Sequence, residues 1–395
     1  MLLFIQSIFV YGLIILAMMH AGKYAYEHQY PDGFLGNDIY AKEKTSFLDI
    51  ITKSHFIIPI LVFCLFAALR FNVGVDCESY RDDFYDLLQK GKTDREDYEL
   101  GYLLTIKFSL LFTNTSYLFF ALLSFFQISL LYYAMRKESY LLMFFGITII
   151  LSETFHYLMN GVRQNIAACI FVAMIPLILN KKYWIWIVPT MFTATLFHKS
   201  AIIILALSVI GYYCKEKLLN PLIQLIIVAV CFLLMDKIDN LLLQPLYDLG
   251  SYAGYEEGAI ENYADYESFN KNFGLRSSLY LLIYIIIILY SNKMKEFFNS
   301  EKFNTIYNLF FIGICLFLLF YNNFTINRIL YYCKIFIPIV EAYFLSYLWL
   351  NRDKDKKNIT IFAISIALLS IAFSYYLYTG YIDYPDESVL YKFYI

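Results

Sequence analysis

Long apolar segments separated by short polar ones run through most of the 395-residue chain. Residues 202–210, 222–235, 279–289 and 359–369 contain no charged side chain. A transmembrane helix needs about 20 mostly apolar residues, and several segments reach that length once flanking Tyr, Ser and Thr are included. Transmembrane β-strands would alternate apolar and polar residues instead. The pattern therefore predicts an all-α fold, that of a polytopic integral membrane protein.

The apolar segments predict about 12 transmembrane helices that form a single membrane domain over residues 1–395. The predicted spans are 1–19, 56–71, 115–135, 140–158, 163–180, 183–198, 200–214, 221–236, 277–292, 303–321, 327–350 and 358–378. The short loops rich in Lys and Arg all fall on one side of this arrangement, and the positive-inside rule makes that side cytoplasmic. Both termini are then expected outside.

Two of the expected outer loops are long. Residues 72–114 join a charged stretch to an apolar stretch too short to span, so we expect an interfacial or re-entrant helix there. Residues 237–276 are acidic and rich in tyrosine. Such a loop can hold a sugar, because aromatic faces stack on pyranose rings and carboxylates accept sugar hydroxyls. It can equally be an interfacial aromatic belt.

Composition and the absence of known motifs exclude several classes of function. The chain is 60% hydrophobic and 16% charged with a net charge of −2, so no attraction to nucleic acid is expected. The seven cysteines form no CxxC pair, which leaves no predicted disulfide framework or zinc site. No P-loop, HExxH or GxSxG motif occurs, and we predict neither a cofactor nor a bound metal.

Ionisable residues at one membrane face are the candidate functional residues. The predicted topology places six of them at the outer face, namely Arg70, Asp76, Arg163, His198, Arg276 and Arg328. Arginines are avoided in outer loops, and several together suit bidentate binding of phosphate, such as a lipid diphosphate headgroup. The alternative is that each arginine pairs with a nearby carboxylate or extends to the lipid headgroups.

His198 and Asp76 are the candidate proton acceptors. An imidazole titrates near neutral pH and can take a proton from a hydroxyl nucleophile, but a histidine at a helix end can also simply face headgroups. Asp76 could act as the base or anchor Arg70 or Arg163 through an ion pair. Glu153 and His156, near another outer helix end, are further candidates.

Four segments resemble motifs of the EpsG family, Wzy-like polymerases of bacterial exopolysaccharide, capsule and O-antigen. Residues 68–80 resemble its R-x-x-x-G-x-D-x-x-x-Y signature through Arg70, Gly74, Asp76 and Tyr80. Residues 160–167 are similar to its N-G-x-R-Q-x-[IL]-A segment, and residues 196–201 to its F-H-x-S-A segment. Asn327-Arg328 resembles a late arginine before a tyrosine. The 20–55 loop is longer than this family pattern, and residues 380–395 match it only loosely.

The resemblance implies a GT-C-type glycosyltransferase in the bacterial inner membrane, with its active site at the periplasmic face. Its donor would be an undecaprenyl-diphosphate-linked oligosaccharide and its acceptor a second lipid-linked unit. It implies diphosphate binding without a metal by four arginines, namely Arg163, Arg70, Arg328 and Arg276. His198 or Asp76 would deprotonate the acceptor, and Tyr80 and Gln164 would shape the site.

Other functions and partners fit the same residues. A flippase or exporter of the lipid-linked glycan would need a polar path to both faces. An O-antigen ligase would keep the arginines and His198 but change the acceptor. A membrane-bound O-acyltransferase also uses an intramembrane histidine, although it needs no outer arginines. A polymerase would work with membrane lipid, a flippase and a chain-length regulator of the same pathway.

Overall fold

A computed structural model describes residues 2–31, 33, 46–93, 98–180, 183–235, 237, 273–321, 323–383 and 389–393. Within these ranges the chain is helical, and an isolated antiparallel bridge joins Arg70 to Phe393. The predicted acidic loop 237–276 lies outside the described residues except for 237 and 273–276. The all-α prediction is therefore confirmed for the part of the chain that the structure describes.

Ten helices precede a short 3-10 turn. They are α1 Leu2–Gln29, α2 Phe47–Thr52, α3 Ser54–Ala68, α4 Cys77–Lys90, α5 Leu100–Leu110, α6 Tyr117–Met135, α7 Ser139–Leu151, α8 Thr154–Asn160, α9 Val162–Ile178 and α10 Tyr183–Thr195. The 3-10 turn, η1, covers Lys199–Ile202. The helices that follow are α11 Ile203–Tyr213, α12 Pro221–Leu233, α13 Leu275–Phe298, α14 Glu301–Leu319, α15 Phe324–Ile329, α16 Tyr331–Lys334, α17 Ile337–Leu350 and α18 Lys357–Asp383.

Six of the described helical segments are long and apolar enough to cross a membrane. They are α1, α6, α13, α14, residues 326–350 and α18, and the bent pair α7–α8 makes a seventh if it counts as one span. The chain is thus a multi-pass membrane protein, but the prediction of about 12 spans is not supported. The other apolar helices, such as α3, α9 and α12, have only 10–17 residues.

The predicted span 140–158 corresponds to the pair α7–α8, and the helix breaks within it at Ser152–Glu153. Glu153 has a left-handed backbone with φ 62°, and α7 and α8 meet at an angle of 67°. The Ser152 and Thr154 hydroxyls bond each other at 2.7 Å, as short polar side chains do where they compete with helical hydrogen bonds. The Tyr280 hydroxyl donates to the freed Leu151 carbonyl at 2.6 Å. The break brings a carboxylate into the protein interior.

Close packing between helices depends on small residues. Gly22 of α1 lies against the backbone of Leu142 in α7, and a Cβ on Gly146 would lie 2.6 Å from Met18 Cβ. Transmembrane helices commonly use such small residues to approach each other closely. The pair α1–α7 therefore forms a tight interface, with α3 packed on α1, α17 packed on α7, and α6 packed next to α3.

The predicted outer loop 72–114 contains two helices, α4 and α5. The second, with 11 residues, is too short to span the hydrocarbon layer, and its place at the membrane interface stays a prediction. Gly101 near its start contacts the end of α10: the Gly101 N–H donates to the Leu196 carbonyl at 2.7 Å, and a Cβ at Gly101 would lie 2.7 Å from that oxygen. Glycine thus allows the start of α5 to lie beside the α10–η1 junction.

Residues 389–393 fold back across the N-terminal helices. The Tyr391 N–H donates to Ser7 Oγ at 2.8 Å, and the Tyr391 hydroxyl donates to the Phe66 carbonyl at 2.5 Å. The Phe71 N–H donates to the Lys392 carbonyl at 2.8 Å. This return segment, residues 389–393, therefore holds the backbone that leads out of α3 towards Asp76.

Candidate active site

The segment between α3 and α4 lies over the end of α8. Gly74 has φ 91°, and a Cβ there would lie 3.0 Å from the Met159 carbonyl oxygen, so only glycine meets both conditions without strain. The Asp76 N–H donates to Asn160 Oδ1 at 2.9 Å. These contacts bring the first motif, with Asp76 at the start of α4, against the second motif, Asn160-Gly161-Val162-Arg163.

Arg163 pairs with Glu99, a residue that the sequence did not single out. Arg163 Nη1 donates to Glu99 Oε2 at 2.5 Å, and the two side chains are 19% and 7% exposed. The other carboxylate oxygen, Glu99 Oε1, accepts the Lys199 N–H at 3.1 Å. Glu99 therefore connects the second motif to the third, because Lys199 directly follows His198.

A second missed carboxylate, Asp83, supports the same arrangement. Its two oxygens accept the hydroxyls of Tyr98 and Tyr102, each at 2.8 Å. The Arg163 guanidinium lies over both rings, 4.7 Å from the Tyr98 centroid and 5.2 Å from the Tyr102 centroid. Cation–π contacts of this kind stabilise and orient a guanidinium. Tyr80, also buried, lies with its ring 5.9 Å from that of Tyr102.

His198 lies between α10 and η1, outside the six candidate spans. Its Nδ1 accepts the Ser200 N–H at 3.2 Å and bonds Ser200 Oγ at 2.7 Å, and Ser200 Oγ in turn bonds the Tyr332 hydroxyl at 3.1 Å. A backbone N–H can only donate, so Nδ1 carries a lone pair, and a neutral His198 carries its proton on Nε2. The hydrogen-bond pattern therefore assigns His198 the Nε2–H tautomer.

Charge and burial keep His198 neutral. Burial lowers the pKa of His198 to about 4, because a buried imidazolium loses its hydration. The Glu99 carboxylate raises this pKa, whereas Arg163, Arg328 and Lys199 lower it. At neutral pH the ring is consequently an uncharged group with one N–H donor, Nε2–H, that is not used by any residue the structure describes.

Arg328 forms an ion pair with Asp76. Arg328 Nη2 is 3.8 Å from Asp76 Oδ1, and the two side chains are 43% and 27% exposed. Gln164 Nε2 donates to the Arg328 carbonyl at 2.6 Å, which joins α9 to α15. The four family-like segments thus meet around Asp76, Arg163, His198 and Arg328, with Tyr80 and Gln164 beside them.

The structure places Arg70 and Arg276 in other surroundings. Arg70 is 3% exposed; its Nη1 donates to the Ala67 carbonyl at 2.7 Å, and its guanidinium lies 4.4 Å from the Phe120 ring centroid. Arg276 Nε lies 3.7 Å from Glu153 Oε1 at the α7–α8 break. The predicted set of four arginines therefore divides into two partly exposed residues, Arg163 and Arg328, one buried residue, Arg70, and one residue at a separate polar cluster, Arg276.

The contacts of His156 indicate a structural role. Its Nε2 bonds the Val389 carbonyl at 3.0 Å and lies 2.8 Å from the Tyr11 hydroxyl. The carbonyl can only accept, so Nε2 carries a proton. This histidine holds the return segment against α1 and α8. Its hydrogen bonds involve neither Arg163 nor Arg328.

Comparison with known proteins points to one family. A sequence model of the EpsG family matches residues 53–392. No curated protein and no solved structure matches the chain significantly. The matched range contains all four motifs, both missed carboxylates and most of the return segment. A match over most of the sequence, together with the meeting of these motifs at one site, shows that the chain belongs to the EpsG family.

Proposed function

We propose that this protein joins undecaprenyl-diphosphate-linked oligosaccharide units into a polysaccharide at the outer face of the bacterial inner membrane. Membership of a family of polysaccharide polymerase type and the multi-pass fold support the broad function. The observation that carries the finer proposal is the contact chain from Arg163 through Glu99 to Lys199, beside the Asp76–Arg328 pair. It joins two arginines, two carboxylates and a neutral imidazole in one place.

Arg163 and Arg328 are suited to receive the leaving diphosphate. In the transfer, an acceptor hydroxyl oxygen bonds the anomeric carbon, and the bond from that carbon to the diphosphate oxygen breaks with its electron pair going to the oxygen. Cations fixed in advance near that oxygen lower the barrier. Arg163 is the second residue of the 17-residue helix α9, whose N-terminus adds partial positive charge.

The tautomer of His198 decides whether this residue accepts a proton or donates a hydrogen bond in the transfer. Because His198 offers Nε2–H, it can donate a hydrogen bond to an oxygen that gains charge, but it has no lone pair there to accept a proton. Asp76 is 27% exposed, beside Arg328, and its carboxylate can accept the hydroxyl proton. We therefore assign Asp76 as the general base and His198 as a hydrogen-bond donor to the diphosphate or the glycosidic oxygen.

The proposal includes the GT-C-type architecture, the absence of a cofactor or metal, and the partner proteins that the sequence predicts. A GT-C-type arrangement places a lipid-linked donor beside outer-face residues, as required here, and neither a cofactor nor a metal has a part in the scheme. Arg70 and Arg276 act outside the diphosphate contact itself. The expected partners are a flippase that delivers the lipid-linked unit and a chain-length regulator.

Two pairs of variants test these roles. Asp76→Asn should abolish polymer and cause single lipid-linked units to accumulate, whereas Asp82→Asn, at an exposed position of the same helix, should not. His198→Gln keeps an amide N–H near the position of Nε2, and His198→Asn does not. The Gln variant should therefore form polymer roughly 10 to 100 times faster than the Asn variant, measured on purified protein with the lipid-linked unit.

Other outcomes have definite meanings. Full polymer from Asp76→Asn would remove Asp76 as the base. Equal and complete loss in both His198 variants would return the base role to His198. A purified wild-type protein that moves the lipid-linked unit between vesicle leaflets without joining two units would favour a transporter instead.

A further inference from the structure

A cavity with a mostly apolar lining and a few charged groups lies at the α7–α8 break, away from the transfer residues. Its volume is about 70 Å³, and α8, α13, α14 and the α16–α17 segment enclose it. Charged groups and aromatic rings share the lining, which includes Glu153, Tyr157, Phe273, Arg276, Phe317 and Lys334. Since a water occupies roughly 30 Å³ of liquid, the cavity has room for a few hydroxyl groups, although not for a whole oligosaccharide.

Glu153 points to a ligand in this cavity. The residue is 5% exposed, and its Oε1 accepts no hydrogen bond from any residue within the described ranges. Arg276 Nε, 3.7 Å away, gives charge compensation at a distance beyond a hydrogen bond. A buried carboxylate oxygen without a donor is costly, and the left-handed backbone of Glu153 adds strain that the surrounding structure must offset. A bound hydroxyl would supply the missing donor.

The other charged groups provide donors at the same cavity. Arg276 is 38% exposed, lies 5.0 Å from the Tyr376 ring centroid, and makes no hydrogen bond to any residue within the described ranges. Lys334 Nζ lies 5.2 Å from the Tyr157 ring centroid and 5.0 Å from that of Phe317. The cavity therefore offers one acceptor and two cationic donors, next to aromatic rings.

This combination fits a hydroxylated sugar better than an anion. A phosphate would meet the Glu153 carboxylate at close range, and like charges repel strongly in a buried setting. A sugar hydroxyl can donate to Glu153 and accept from Arg276 or Lys334, and the apolar face of a pyranose can pack on an aromatic ring. The cavity volume admits the hydroxyl edge of one ring, with the remaining sugars at its mouth.

The cavity is connected to the transfer residues through α15 and α16. Lys334 Nζ lies 3.4 Å from Asn327 Oδ1, next to Arg328 in the sequence. The ring centroids of Tyr157 and Tyr331 are 5.4 Å apart, and a Cβ on Gly161 would lie 3.0 Å from the Tyr331 ring. These contacts place the cavity next to the elements that carry Arg328 and the second motif.

We propose that the cavity formed around Glu153, Arg276 and Lys334 is a glycan subsite that binds a sugar of the repeat unit at a distance from the bond being formed. The proposal rests on the proposed function, because it takes the sugar from the same lipid-linked unit. The subsite selects the repeat unit through its hydroxyl pattern, whereas Arg163 and Arg328 bind the diphosphate common to every such lipid.

The test measures binding without turnover. The probe is the free oligosaccharide released by mild acid from the lipid-linked unit that accumulates when this protein is removed. Its affinity for the full chain in detergent is measured by saturation-transfer NMR titration. Glu153→Gln keeps the side-chain shape but removes the charge, and Arg276→Gln removes a donor. Arg352→Gln is the matched control, because Arg352 lies 3.8 Å from Asp353 and 4.4 Å from the Trp349 ring centroid.

We expect Glu153→Gln and Arg276→Gln each to weaken binding about tenfold, and Arg352→Gln and Arg163→Ala to leave it unchanged. Wild-type affinity in both cavity variants would overturn the subsite. Displacement of the oligosaccharide by inorganic diphosphate would show an anion site instead. If Glu153→Gln aggregates on size exclusion, the partly exposed Arg276 decides the question. Polymer from Arg163→Ala would contradict the proposed function while the binding result stands by itself.

Discussion

The guanidinium groups of Arg163 and Arg70 have different partners. Arg163 faces the Glu99 carboxylate and two tyrosine rings and stays partly accessible. Arg70 is buried, donates to the carbonyls of Ala67 and Met159, and contacts Met159 Sδ at 3.0 Å. An arginine whose donors hold backbone carbonyls stabilises a chain crossing. An arginine that shares a carboxylate at an open site can exchange part of that contact for a ligand anion.

The largest expected effect is on Arg163. Replacing it with Ala should reduce polymer formation roughly 100- to 1,000-fold, because a fixed donor to the developing charge is removed. Arg163→Lys should recover only part of the rate if two-point phosphate binding matters, since an ammonium lacks the planar fork. The rate is measured per folded molecule in detergent, with Arg352→Ala as the control. Full activity of Arg163→Ala would end the distinction between the two arginines.

The next effect concerns the carboxylate that orients Arg163. Glu99→Gln keeps a hydrogen-bond acceptor for Lys199 but removes the charge opposite Arg163, so we expect roughly a tenfold lower rate with little loss of protein. The matched control is Glu301→Gln, because Glu301 pairs with Lys215 at 3.0 Å and is half exposed. A rate unchanged from wild type would show that Arg163 is oriented by the tyrosine rings alone.

Arg70 should affect stability more than chemistry. Arg70→Met keeps the bulk of the side chain but leaves buried carbonyl oxygens without donors, at about 1–3 kcal/mol each. We expect a lower thermal unfolding temperature and less folded protein, with an unchanged rate per folded molecule. The measurement pairs a thermal melt in detergent with the polymerisation assay. A variant of normal stability that has lost activity would place Arg70 with the diphosphate ligands after all.

The smallest effect is in the pH profile. Burial lowers the pKa of His198 to about 4, so the ring stays neutral as the pH falls from 8 to about 5.5, and it gives no inflection near the ordinary histidine value of about 6.5. Protonation begins only when the pH approaches 4. Wild type and His198→Gln should therefore give initial-rate profiles of the same shape over this range. An inflection near 6.5 present in wild type alone would indicate a less buried, titrating imidazole.

The sequence predicts where helices lie better than how they end. Each predicted apolar span contains a described helix, because hydrophobic runs of this length leave few other structures available in a membrane. The break at Ser152–Glu153 was not predicted, since hydropathy averages over a short polar interruption. Several helices proved shorter than a span for the same reason: polar and turn residues at their ends do not change the average.

The candidate site was predictable in its residue types and less so in its contacts. Arginine, histidine and aspartate at one predicted face, with the family motifs, indicated Arg163, His198, Asp76 and Arg328. Neither the pairing of Glu99 with Arg163 nor the burial of Arg70 can be read from local pattern, because both depend on contacts between distant parts of the chain. The one available signal for Glu99 was a carboxylate directly before an apolar helix, which many surface residues share.

The return segment 389–393 has a consequence for biosynthesis. The segment from Arg70 to Asp76 obtains its hydrogen bond to Lys392 only after residues 389–393 have been synthesised, long after residues 70–76. Until then, the turn that carries Asp76 lacks a neighbour that the folded protein provides. Assembly of the site is thus tied to the synthesis of the return segment, and a chain that has not yet reached residue 389 lacks the hydrogen bond that positions the turn carrying Asp76.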